Sequence, residues 1–393
     1  MNQAILTSEV QFFLRDRIQT SPSVIALQKS SFPNVSSSEL ADQLDGMQRA
    51  QKKLPRWFNT ANIYYPGLLA LEQSSSSLTG LYKSELIDTG SSVLDITGGF
   101  GVDDYYFAQR AKQVFHCERN EALSEIAEHN AKQLGATNIR FLPRDGLDYL
   151  QSAKEIFDFI YVDPSRRVKQ QKVFRLSDCE PNVVIHIPLF KQKSKNVFIK
   201  AAPLLDIQAA IKELPGISEV HIISVRNECK ELLFALRDPQ GGPITFHCAA
   251  LNSNFSHTLC FTERDERESI PVFDSPQRYL YEPDAALLKA GCFKYTAIHF
   301  TLSKLHQHTH LYTSDILKED FIGRCFEVIK ITSYSDFKKC KKPIQGNVST
   351  RNFPLKPEDL RKRHKIKDGG DQHLFFCTGP RDELLVVTGR KIR

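Results

Sequence analysis

The chain has 393 residues, which is too long for one ordinary hydrophobic core, so we expect about two to four domains. With 41 % hydrophobic and 25 % charged residues it is typical of a soluble globular protein, and no stretch approaches the roughly 20 apolar residues of a membrane-spanning helix. The N-terminus lacks the pattern of a signal peptide, and the nine cysteines contain no C-x-x-C pair. These features predict a cytoplasmic protein with reduced thiols, without a disulfide framework, a metal site or a membrane contact.

The charge is unevenly placed along the chain. The net charge is +6, yet the segment from Lys338 to Arg393 holds 15 Lys and Arg against 6 Asp and Glu. The rest of the chain is therefore close to neutral. A basic tail of this kind favours an anionic partner at the C-terminal end, with a merely solubilising role as the alternative.

In chain order, residues 1–85 have apolar residues spaced by three and four positions and predict helices, one of them closed by Pro55. From residue 91 to about 262 the pattern alternates between strand and helix. Strands are predicted at 92–96, 113–118, 138–143, 157–163, 196–202 and 218–225, and helices at 102–111, 120–134, 145–152 and 205–214. The alternation predicts an α/β fold with a parallel, doubly wound sheet, to which 231–238 and later segments can add antiparallel edge strands.

The C-terminal part begins with a polar, proline-broken stretch, FTERDERESIPVFDSPQ, which predicts a domain boundary near residue 270. The next segment, YLYEPDAALLKAG, is predicted as a loop and a helix within a small unit that ends near residue 320. Residues 321–393 predict an α+β unit with a basic helix in KPEDLRKRHKIK and strands in HLFFCTG and ELLVVTGR.

The stretch SSVLDITGGFGVDDYYFAQ, residues 91–109, runs from an apolar strand through a glycine turn into a helix. Such a turn commonly holds a small molecule. Dinucleotide sites favour G-x-G-x-x-G, in which Gly99 and Gly101 fit the first two positions, but Asp104 occupies the third. S-adenosylmethionine has no pyrophosphate and needs only a close approach of the backbone together with suitably placed acids. The turn therefore favours S-adenosylmethionine over a dinucleotide.

Acids stand at or just after the ends of the first four predicted strands, at Asp95, Glu118, Asp145 and Asp163. In an open α/β sheet the carboxyl ends of parallel strands meet at one edge, where ligands bind. A carboxylate at Glu118 can accept both ribose hydroxyls, and Asp145 can reach the adenine edge. The ordered set predicts S-adenosylmethionine as the cofactor.

These residues resemble the successive motifs of class I S-adenosylmethionine-dependent methyltransferases in VLDITGGFGVD, HCE, RDG and VDPSRR. Further segments, KLPRW, LEQSSS, NECKELLF, YEPDAALLKAG, LYTSD and RNFPL, resemble a bacterial family that joins a Rossmann-like methyltransferase domain to a small ferredoxin-like unit and a C-terminal THUMP-like domain. The resemblance covers nearly the whole chain. It implies an N-terminal helical region over 1–85, a methyltransferase domain over 86–270, a ferredoxin-like unit over 271–320 and a THUMP-like domain over 321–393.

The resemblance also implies roles for single residues. Those implied to bind the cofactor are Asp95, Thr97, Gly99 and Gly101 at the methionine part, Glu118 at the ribose, and Asp145 and Gly146 beside adenine. Those implied to face the target, and so to be catalytic, are Asp163, Pro164, Ser165 and Arg166. Enzymes that methylate exocyclic amines usually carry a second proline and an aromatic residue at this last motif, and their absence argues against an amine target. Arg166 and Arg167 can instead grip a phosphate or a carboxylate, or can be plain surface residues.

Other chemistry-bearing residues favour ordinary structural roles. Cys179 and Cys229 are candidate nucleophiles, the latter with Lys230 beside it to lower its pKa, but inert buried thiols are the expected state for both. In HQHTH, residues 306–310, alternate histidines on a strand can hold a metal, yet exposed strand residues are the preferred interpretation, so no metal is predicted.

The function predicted from the sequence is methylation of RNA, a ribosomal or transfer RNA base, held by the basic THUMP-like domain. Phe353 and nearby arginines can combine stacking with phosphate contacts in such a domain. The alternatives are a methyltransferase acting on a protein or a small molecule and a non-catalytic, cofactor-binding scaffold. The oligomeric state stays open.

Overall fold

The computed structural model describes residues 1–165, 167–168, 171–172, 175–237, 241–252, 256–340 and 343–392. The chain folds as two units. The first contains Met1–Ser218 and Leu233–Gly241, and the second contains Glu219–Leu232 and Gly242–Arg393. Every helix in this described part of the chain is too short or too polar to span a lipid bilayer.

Helices fill the N-terminal region, as predicted. They are α1 (Ser8–Asp16), α2 (Pro22–Ala26), α3 (Ser37–Lys53), α4 (Pro55–Asn59), α5 (Leu68–Gln73) and α6 (Ser77–Glu85). A capping box of Ser36 and Glu39 starts α3. Pro55 occupies the first position of α4, where its missing N–H is not needed by the helix. Local capping residues therefore set these boundaries.

The first unit contains a parallel sheet of the expected kind. Its elements are β1 (Ser92–Asp95), α7 (Val102–Ala108), β2 (Gln113–Cys117), α8 (Glu121–Gln133), β3 (Ile139–Leu142), α9 (Gly146–Ser152), β4 (Phe157–Val162), β5 (Arg167–Val168), β6 (Gln171–Lys172), α10 (Val183–Lys193), β7 (Ser194–Ala201) and α11 (Ile207–Glu213). The sheet order is β7-β4-β1-β2-β3, with parallel pairing between neighbours. Because the strands are parallel, the carboxyl ends of β1, β2 and β4 lie at the same edge of the sheet. The strand order reverses at β1, and such a point is where ligands bind in open α/β sheets.

Helix α10 was missed by the sequence reasoning. Its residues are apolar around most of the helix, so the segment lacks the stripe that marks a surface helix, and it contains Pro188. Asn182 starts the helix by accepting hydrogen bonds from the N–H groups of Val184 and Ile185. This cap was the readable signal.

The long strand β9 (Glu228–Arg237) follows β8 (Glu219–Val225) after a two-residue turn. It has neighbours on both sides, β7 and β8, so the predicted edge position of 231–238 is wrong. Its residues from Leu232 to Leu236 are at most 1 % exposed, as in an interior strand. The turn residues Arg226 and Asn227 have φ of 53° and 64°, the conformation of a tight hairpin.

Two further strands extend the second unit on the β8 side. Strand β10 (Thr245–Leu251) pairs in parallel with β8, and β11 (Ser256–Thr262) pairs antiparallel with β10. Helix α12 (Glu263–Glu268) follows at once, capped by Thr262 and Asp265. The polar stretch predicted as a domain boundary therefore starts with a short helix. Its capping box stabilises the first turn, so this helix forms although it has no apolar face.

The rest of the second unit is built on another sheet, ordered β13-β14-β12-β15-β20-β19-β17. The elements of this part are β12 (Tyr279–Pro283), α13 (Ala285–Ala290), α14 (Lys294–His299), β13 (Ser303–Lys304), β14 (Tyr312–Ser314), β15 (Gly323–Ser333), α15 (Tyr334–Phe337), β16 (Ile344–Gln345), β17 (Asn347–Arg351), α16 (Pro357–His364), β18 (Ile366–Lys367), β19 (Gln372–Thr378) and β20 (Leu384–Lys391). The residues expected to form a loop at 279–283 are strand β12. Segments on both sides of the expected boundary at 320 contribute strands to this one sheet.

The three histidines of HQHTH do not lie on a strand, so the expectation of exposed strand residues is wrong. They occupy the loop between β13 and β14. His306 pairs with Asp382 at 3.0 Å, and the ring of His310 stacks on Phe293 with centroids 3.6 Å apart. These contacts hold the loop in place.

Candidate active site

The turn between β1 and α7 is tied to the end of β2. The Gly98 N–H donates to the carbonyl of Cys117 at 2.8 Å, and the Gly101 N–H donates to the carbonyl of Gly98 at 2.9 Å. Gly99 and Gly101 have φ of 56° and 74°, which glycine adopts without strain. A Cβ added at Gly99 meets nothing closer than the carbonyl oxygen of Thr97 at 3.7 Å. The space beside Gly99 is therefore open to a ligand.

Gly98 has a different role, which the sequence reasoning missed. A Cβ added at Gly98 would lie 2.2 Å from Nδ1 of His116. The position is glycine because the turn packs on a buried imidazole. The adjacent pair of glycines in the motif was the signal that both positions are restricted.

Glu118 follows β2 and contacts the turn directly. Its Oε2 accepts a hydrogen bond from the Gly99 N–H at 3.0 Å, and its Oε1 accepts one from the Asn120 N–H at 2.7 Å. A carboxylate oxygen has two lone pairs, so each oxygen keeps one acceptor site. The same side chain can therefore orient the turn and accept two hydroxyl groups of a ligand.

A chain of hydrogen bonds connects the ends of β1, β4 and β7. Asp95 Oδ1 accepts from the N–H and the hydroxyl of Thr97, at 2.7 and 3.0 Å. The Asp163 N–H donates to Thr97 Oγ1 at 2.7 Å, and Lys200 Nζ lies 2.5 Å from Asp163 Oδ2. Asp95 is only 2 % exposed, so it lies beneath the turn and acts on its surface through Thr97.

Lys200 was not predicted from the sequence. It stands near the end of β7, and its side chain is 9 % exposed against 34 % for Asp163. A lysine at the end of an otherwise apolar strand, NVFIKAA, was the available signal, because a buried lysine needs a partner. The pair fixes the orientation of the Asp163 carboxylate, which stays partly exposed.

Asp145 and Gly146 position α9. Asp145 caps the helix, its Oδ1 accepting from the N–H groups of Leu147 and Asp148 at 2.8 and 3.2 Å. A Cβ added at Gly146 would lie 2.2 Å from the carbonyl oxygen of Ile96. Gly146 is therefore required for the close approach of α9 to the end of β1, whatever it contributes to a ligand site.

A buried ion pair under the turn joins α6 to α7. Lys83 Nζ lies 2.9 Å from Asp103 Oδ1, and Asp103 Oδ2 accepts hydrogen bonds from Ser75 and Tyr161, each at 2.8 Å. Burial raises the pKa of Asp103, but the charges of Lys83 and Lys200 outweigh burial and hold this pKa below its ordinary value. Asp103 therefore stays charged, and its network holds the start of α7.

Next to this pair, Asp104 and His116 are both fully buried, with His116 Nδ1 2.6 Å from Asp104 Oδ2. Burial lowers the pKa of His116 to about 4, so the imidazole is neutral near pH 7. Burial also raises the pKa of Asp95 and of Asp104 well above the ordinary range, with the repulsion of nearby acids adding to it. Each of these shifts favours the neutral form of the side chain, so burial reduces the charge beneath the glycine turn.

The segment after β4 is described as far as Ser165. Pro164 is buried, and Ser165 is exposed and exchanges two backbone hydrogen bonds with Glu180, at 2.7 and 3.0 Å. Arg166 lies outside the described residues, as does the side chain of Arg167. Within this motif, the structure therefore describes the surroundings of Asp163, Pro164 and Ser165.

The two cysteines considered as nucleophiles have the surroundings of inert thiols. Cys179 is buried, and its thiol donates to the carbonyl of Arg175 at 3.3 Å. Burial raises the pKa of Cys229 to about 11, and Lys230 pairs with Glu228 at 2.7 Å. The expectation that Lys230 can lower this pKa is wrong, because burial has the larger effect.

A cleft of about 670 Å³ lies beside Glu118. Its walls are the segment 66–73 and the start of α8, and Arg119 and Asn120 lie next to Glu118 on its lining. The remaining lining is mostly apolar, with Leu68, Leu69 and Leu123 among it. This composition fits a flat, partly apolar group adjacent to the acid.

The basic C-terminal segment exposes cations on α16. Lys362 and Arg363 on the helix and Lys365 just after it are exposed, whereas Arg361 pairs with Asp368 at 3.1 Å. Phe353 does not stand free for stacking: its ring packs against those of Tyr334 and Phe376, with centroids 5.1 and 5.5 Å away. Arg351 pairs with Glu282 at 2.5 Å. The predicted pairing of stacking and phosphate contact at Phe353 is therefore not supported, whereas Lys362 and Arg363 of α16 are among the exposed cations of this segment.

Comparison with known proteins places the chain in a family. A ferredoxin-like domain profile matches residues 279–321, and a THUMP-domain-like profile matches residues 323–390. A solved structure from Porphyromonas gingivalis W83, described as a methyltransferase, is 33 % identical, with a TM-score of 0.86 over 99 % of this chain and 98 % of that one. The chain belongs to the family of this methyltransferase. The Rossmann-like fold with ferredoxin-like and THUMP-like parts, expected from the motifs, is confirmed.

A second relative is an uncharacterised RNA methyltransferase of Mycoplasma mobile, 32 % identical over 105 residues. The match covers 26 % of this chain, and the chain spans 29 % of the length of that relative.

The residues of the site fit S-adenosylmethionine, the cofactor that the sequence motifs predict. Gly99 presents an open backbone surface, as a close approach of the methionine part requires. Glu118 keeps an acceptor site on each oxygen, which matches the two ribose hydroxyls. The apolar cleft beside Glu118 has the chemistry that an adenine ring needs.

Proposed function

We propose that this protein methylates RNA in the cytoplasm, with S-adenosylmethionine held at the glycine turn and RNA held by the basic C-terminal domain. The observation that carries the proposal is the hydrogen-bonded chain from Asp95 through Thr97 to Asp163 and Lys200. It couples the geometry of the cofactor turn to the acid that faces the target. These contacts fix the position of Asp163 relative to the turn, and such alignment of two bound partners is what a transfer reaction needs.

For the cofactor, we assign the methionine part to Thr97, Gly99 and Gly101, with Asp95 beneath them. The ribose is assigned to Glu118, and the adenine to the cleft beside it. Asp145 and Gly146 do not line that cleft, and we assign them to the adenine side on the resemblance of their motif alone. When bound, the cofactor supplies a methyl group on a sulfonium centre. Glu118 orients the nucleoside part, and the glycine backbone permits an approach that any side chain at Gly99 would obstruct.

For the target, we assign the orienting role to Asp163. Lys200 binds Oδ2, and we assign Oδ1 to accept a hydrogen bond from the group to be methylated. Pro164 supports the turn, and Ser165 and Arg166 complete the assigned target side. Alignment of the nucleophile is the main contribution a protein makes to such a displacement.

RNA is proposed as the substrate on three grounds. The THUMP-domain-like match covers 323–390, and the Mycoplasma mobile relative carries the name of an RNA methyltransferase. Three exposed cations lie together at the end of α16, namely Lys362 and Arg363 on the helix and Lys365 just after it. Cations that meet phosphates dominate the affinity of proteins for nucleic acids. We propose four domains for this function: a helical region over 1–85, a catalytic domain over 86–270, a ferredoxin-like unit over 271–320 and a THUMP-like domain over 321–393.

The test is a comparison of modified nucleosides. Ribosomal and transfer RNA from cells with and without the gene is digested and analysed by mass spectrometry, and the purified protein is then given the RNA of the deletion strain with labelled cofactor. We expect one methylated nucleoside to vanish in the deletion strain and to return in vitro. No lost nucleoside, together with no label transferred to RNA, would overturn the RNA substrate.

A further inference from the structure

A cluster of metal-ligating side chains lies in the second unit, on the strands β8, β10 and β11. Glu219 and His221 stand two positions apart on β8 and so share one face of the sheet. His221 is the register partner of His247 on β10, and His247 is the partner of Cys260 on β11. Strand register therefore brings four potential ligands to one face, although they are far apart in sequence.

The donor atoms of this cluster are close together. His221 Nε2 lies 3.1 Å from Glu219 Oε2, and Cys260 Sγ lies 3.2 Å from His247 Nδ1. The two imidazole rings stack with centroids 4.4 Å apart and 13° between their planes. One donor atom each from Glu219, His221 and His247 lies within 4.8 Å of the others, a grouping that no other three acids, cysteines or histidines form among the described residues.

These spacings are near those of a tetrahedral zinc site. Zinc binds nitrogen, sulfur and carboxylate oxygen at about 2.0–2.3 Å, which puts neighbouring donors about 3.3–3.8 Å apart. Two observed separations, 3.1 and 3.2 Å, lie just below this range, and the 4.8 Å limit for Glu219, His221 and His247 lies above it. Closing the shell requires the side chains to rotate, above all the two stacked rings, whose in-plane nitrogen lone pairs must turn toward one point. Two neutral imidazoles, a thiolate and a carboxylate around Zn²⁺ also sum to no net charge.

We propose that Glu219, His221, His247 and Cys260 form a structural Zn²⁺ site that joins β8, β10 and β11. On binding, the thiol of Cys260 releases its proton to solvent as the Zn–S bond forms. The Glu219 carboxylate can only accept, so His221 Nε2 carries the proton of their hydrogen bond, and this proton moves to Nδ1 when Nε2 binds zinc. The Glu219 carboxylate and His247 bind through lone pairs that accept hydrogen bonds in the metal-free protein. Nitrogen and sulfur donors select zinc over magnesium or calcium. Four protein ligands leave no open position, which is the arrangement of a structural site.

The site has a natural function at this place in the fold. Strand β11 is at the edge of its sheet, and Cys260 is its contribution to the cluster. A metal that binds only the folded arrangement stabilises it by mass action. Zinc would therefore pin the edge strand to the two strands behind it.

The test uses the full-length protein, first freed of metal with a chelator and then titrated with Zn²⁺ or Co²⁺. We expect one Zn²⁺ per chain, a raised melting temperature, and with Co²⁺ the absorption bands of tetrahedral thiolate coordination. Cys260→Ser should remove the thiolate band and weaken binding at least tenfold. Because Cys260 is exposed, this change does not threaten the fold, whereas His221 is 1 % exposed and is left intact.

Two matched controls separate this site from adventitious binding. His257→Ala removes a histidine from the opposite face of β11, and Cys340→Ser removes another exposed cysteine. Both should bind zinc and cobalt as the wild type does. Glu219→Gln should weaken binding without removing the thiolate band. The proposal fails if the wild type takes up no metal, if Cys260→Ser leaves the cobalt spectrum unchanged, or if the controls lose binding equally.

Discussion

At the scale of single residues, Glu118 combines two duties in one carboxylate. Its two oxygens hold the backbone of Gly99 and Asn120 and keep further acceptor sites. Replacing Glu118 with Ala should weaken S-adenosylmethionine binding by about 1.5–3 kcal/mol, roughly tenfold to a hundredfold, because two charge-assisted hydrogen bonds to the ribose are lost. Isothermal titration measures the effect directly.

Glu155→Ala is the matched control for this titration, since Glu155 is an exposed acid on the same unit. Its affinity should equal that of the wild type. If Glu118→Ala binds as tightly as the control, the ribose is held elsewhere.

Asp163 belongs to the same scale, and its loss should separate turnover from cofactor binding. Asp163→Ala removes the acceptor that orients the target and its ion pair with Lys200. We expect methyl transfer to RNA to fall about 10²-fold or more, with little change in the affinity for the cofactor. Single-turnover assays with labelled cofactor give the rate, and titration gives the affinity. Full activity in this variant would remove Asp163 from the mechanism.

At the scale of secondary-structure elements, the contact of α9 with the end of β1 has no room for a side chain. A Cβ at Gly146 would overlap the backbone of Ile96, and backbone cannot move aside as a flexible side chain can. Gly146→Ala should therefore destabilise the protein by about 1–3 kcal/mol, the range for overpacked sites. Urea unfolding monitored by circular dichroism measures the change.

Gly67→Ala serves as the comparison, because a Cβ there meets nothing within 4 Å and its φ is −52°. This variant should be as stable as the wild type or slightly more stable. Equal midpoints for the two variants would mean that α9 can shift away from β1 at no cost.

A buried ion pair also holds α6 against α7. Lys83 is fully buried, and its ammonium is compensated by Asp103 and by the hydroxyls of Ser75 and Tyr161. Breaking such a pair is costly, because the remaining charge is left buried without a partner. The contact therefore fixes where α7 begins, and with it the glycine turn.

At the scale of the whole molecule, the charge contrast between the tail and the rest of the chain makes a prediction about RNA. If the cations of α16 meet phosphates, affinity must fall with salt, with a logarithmic slope of about −0.7 per phosphate engaged on a single strand. Replacing Arg361, Lys362, Arg363 and Lys365 with Gln should flatten this slope and weaken binding. Filter binding of structured RNA across a salt series measures both quantities.

A second fourfold variant removes equal charge from the other unit, with Lys52, Lys112, Lys154 and Lys195, all exposed, changed to Gln. Its slope should stay near that of the wild type, and both variants should bind the cofactor normally. Equal slopes for the α16 variant and the wild type would make α16 a solvated face and favour a protein or small-molecule substrate.

The sequence by itself determined the parallel sheet, the glycine turn and the acids Glu118, Asp145 and Asp163 after its strands. These features are local: apolar period, glycine pairs and caps report on residues a few positions apart, and parallel topology then brings strand ends to one edge. The position of these acids at one edge of the sheet could therefore be predicted without knowing how the side chains pack.

The tertiary structure alone decided which charges meet. Lys200 and Asp163, Lys83 and Asp103, and the cluster of Glu219, His221, His247 and Cys260 come together through strand register and helix packing. The interior position of β9 was decided in the same way. Strand register depends on the burial of whole strands, and a shift of one residue would turn every side chain to the opposite face. These partners therefore cannot be predicted from any local sequence pattern.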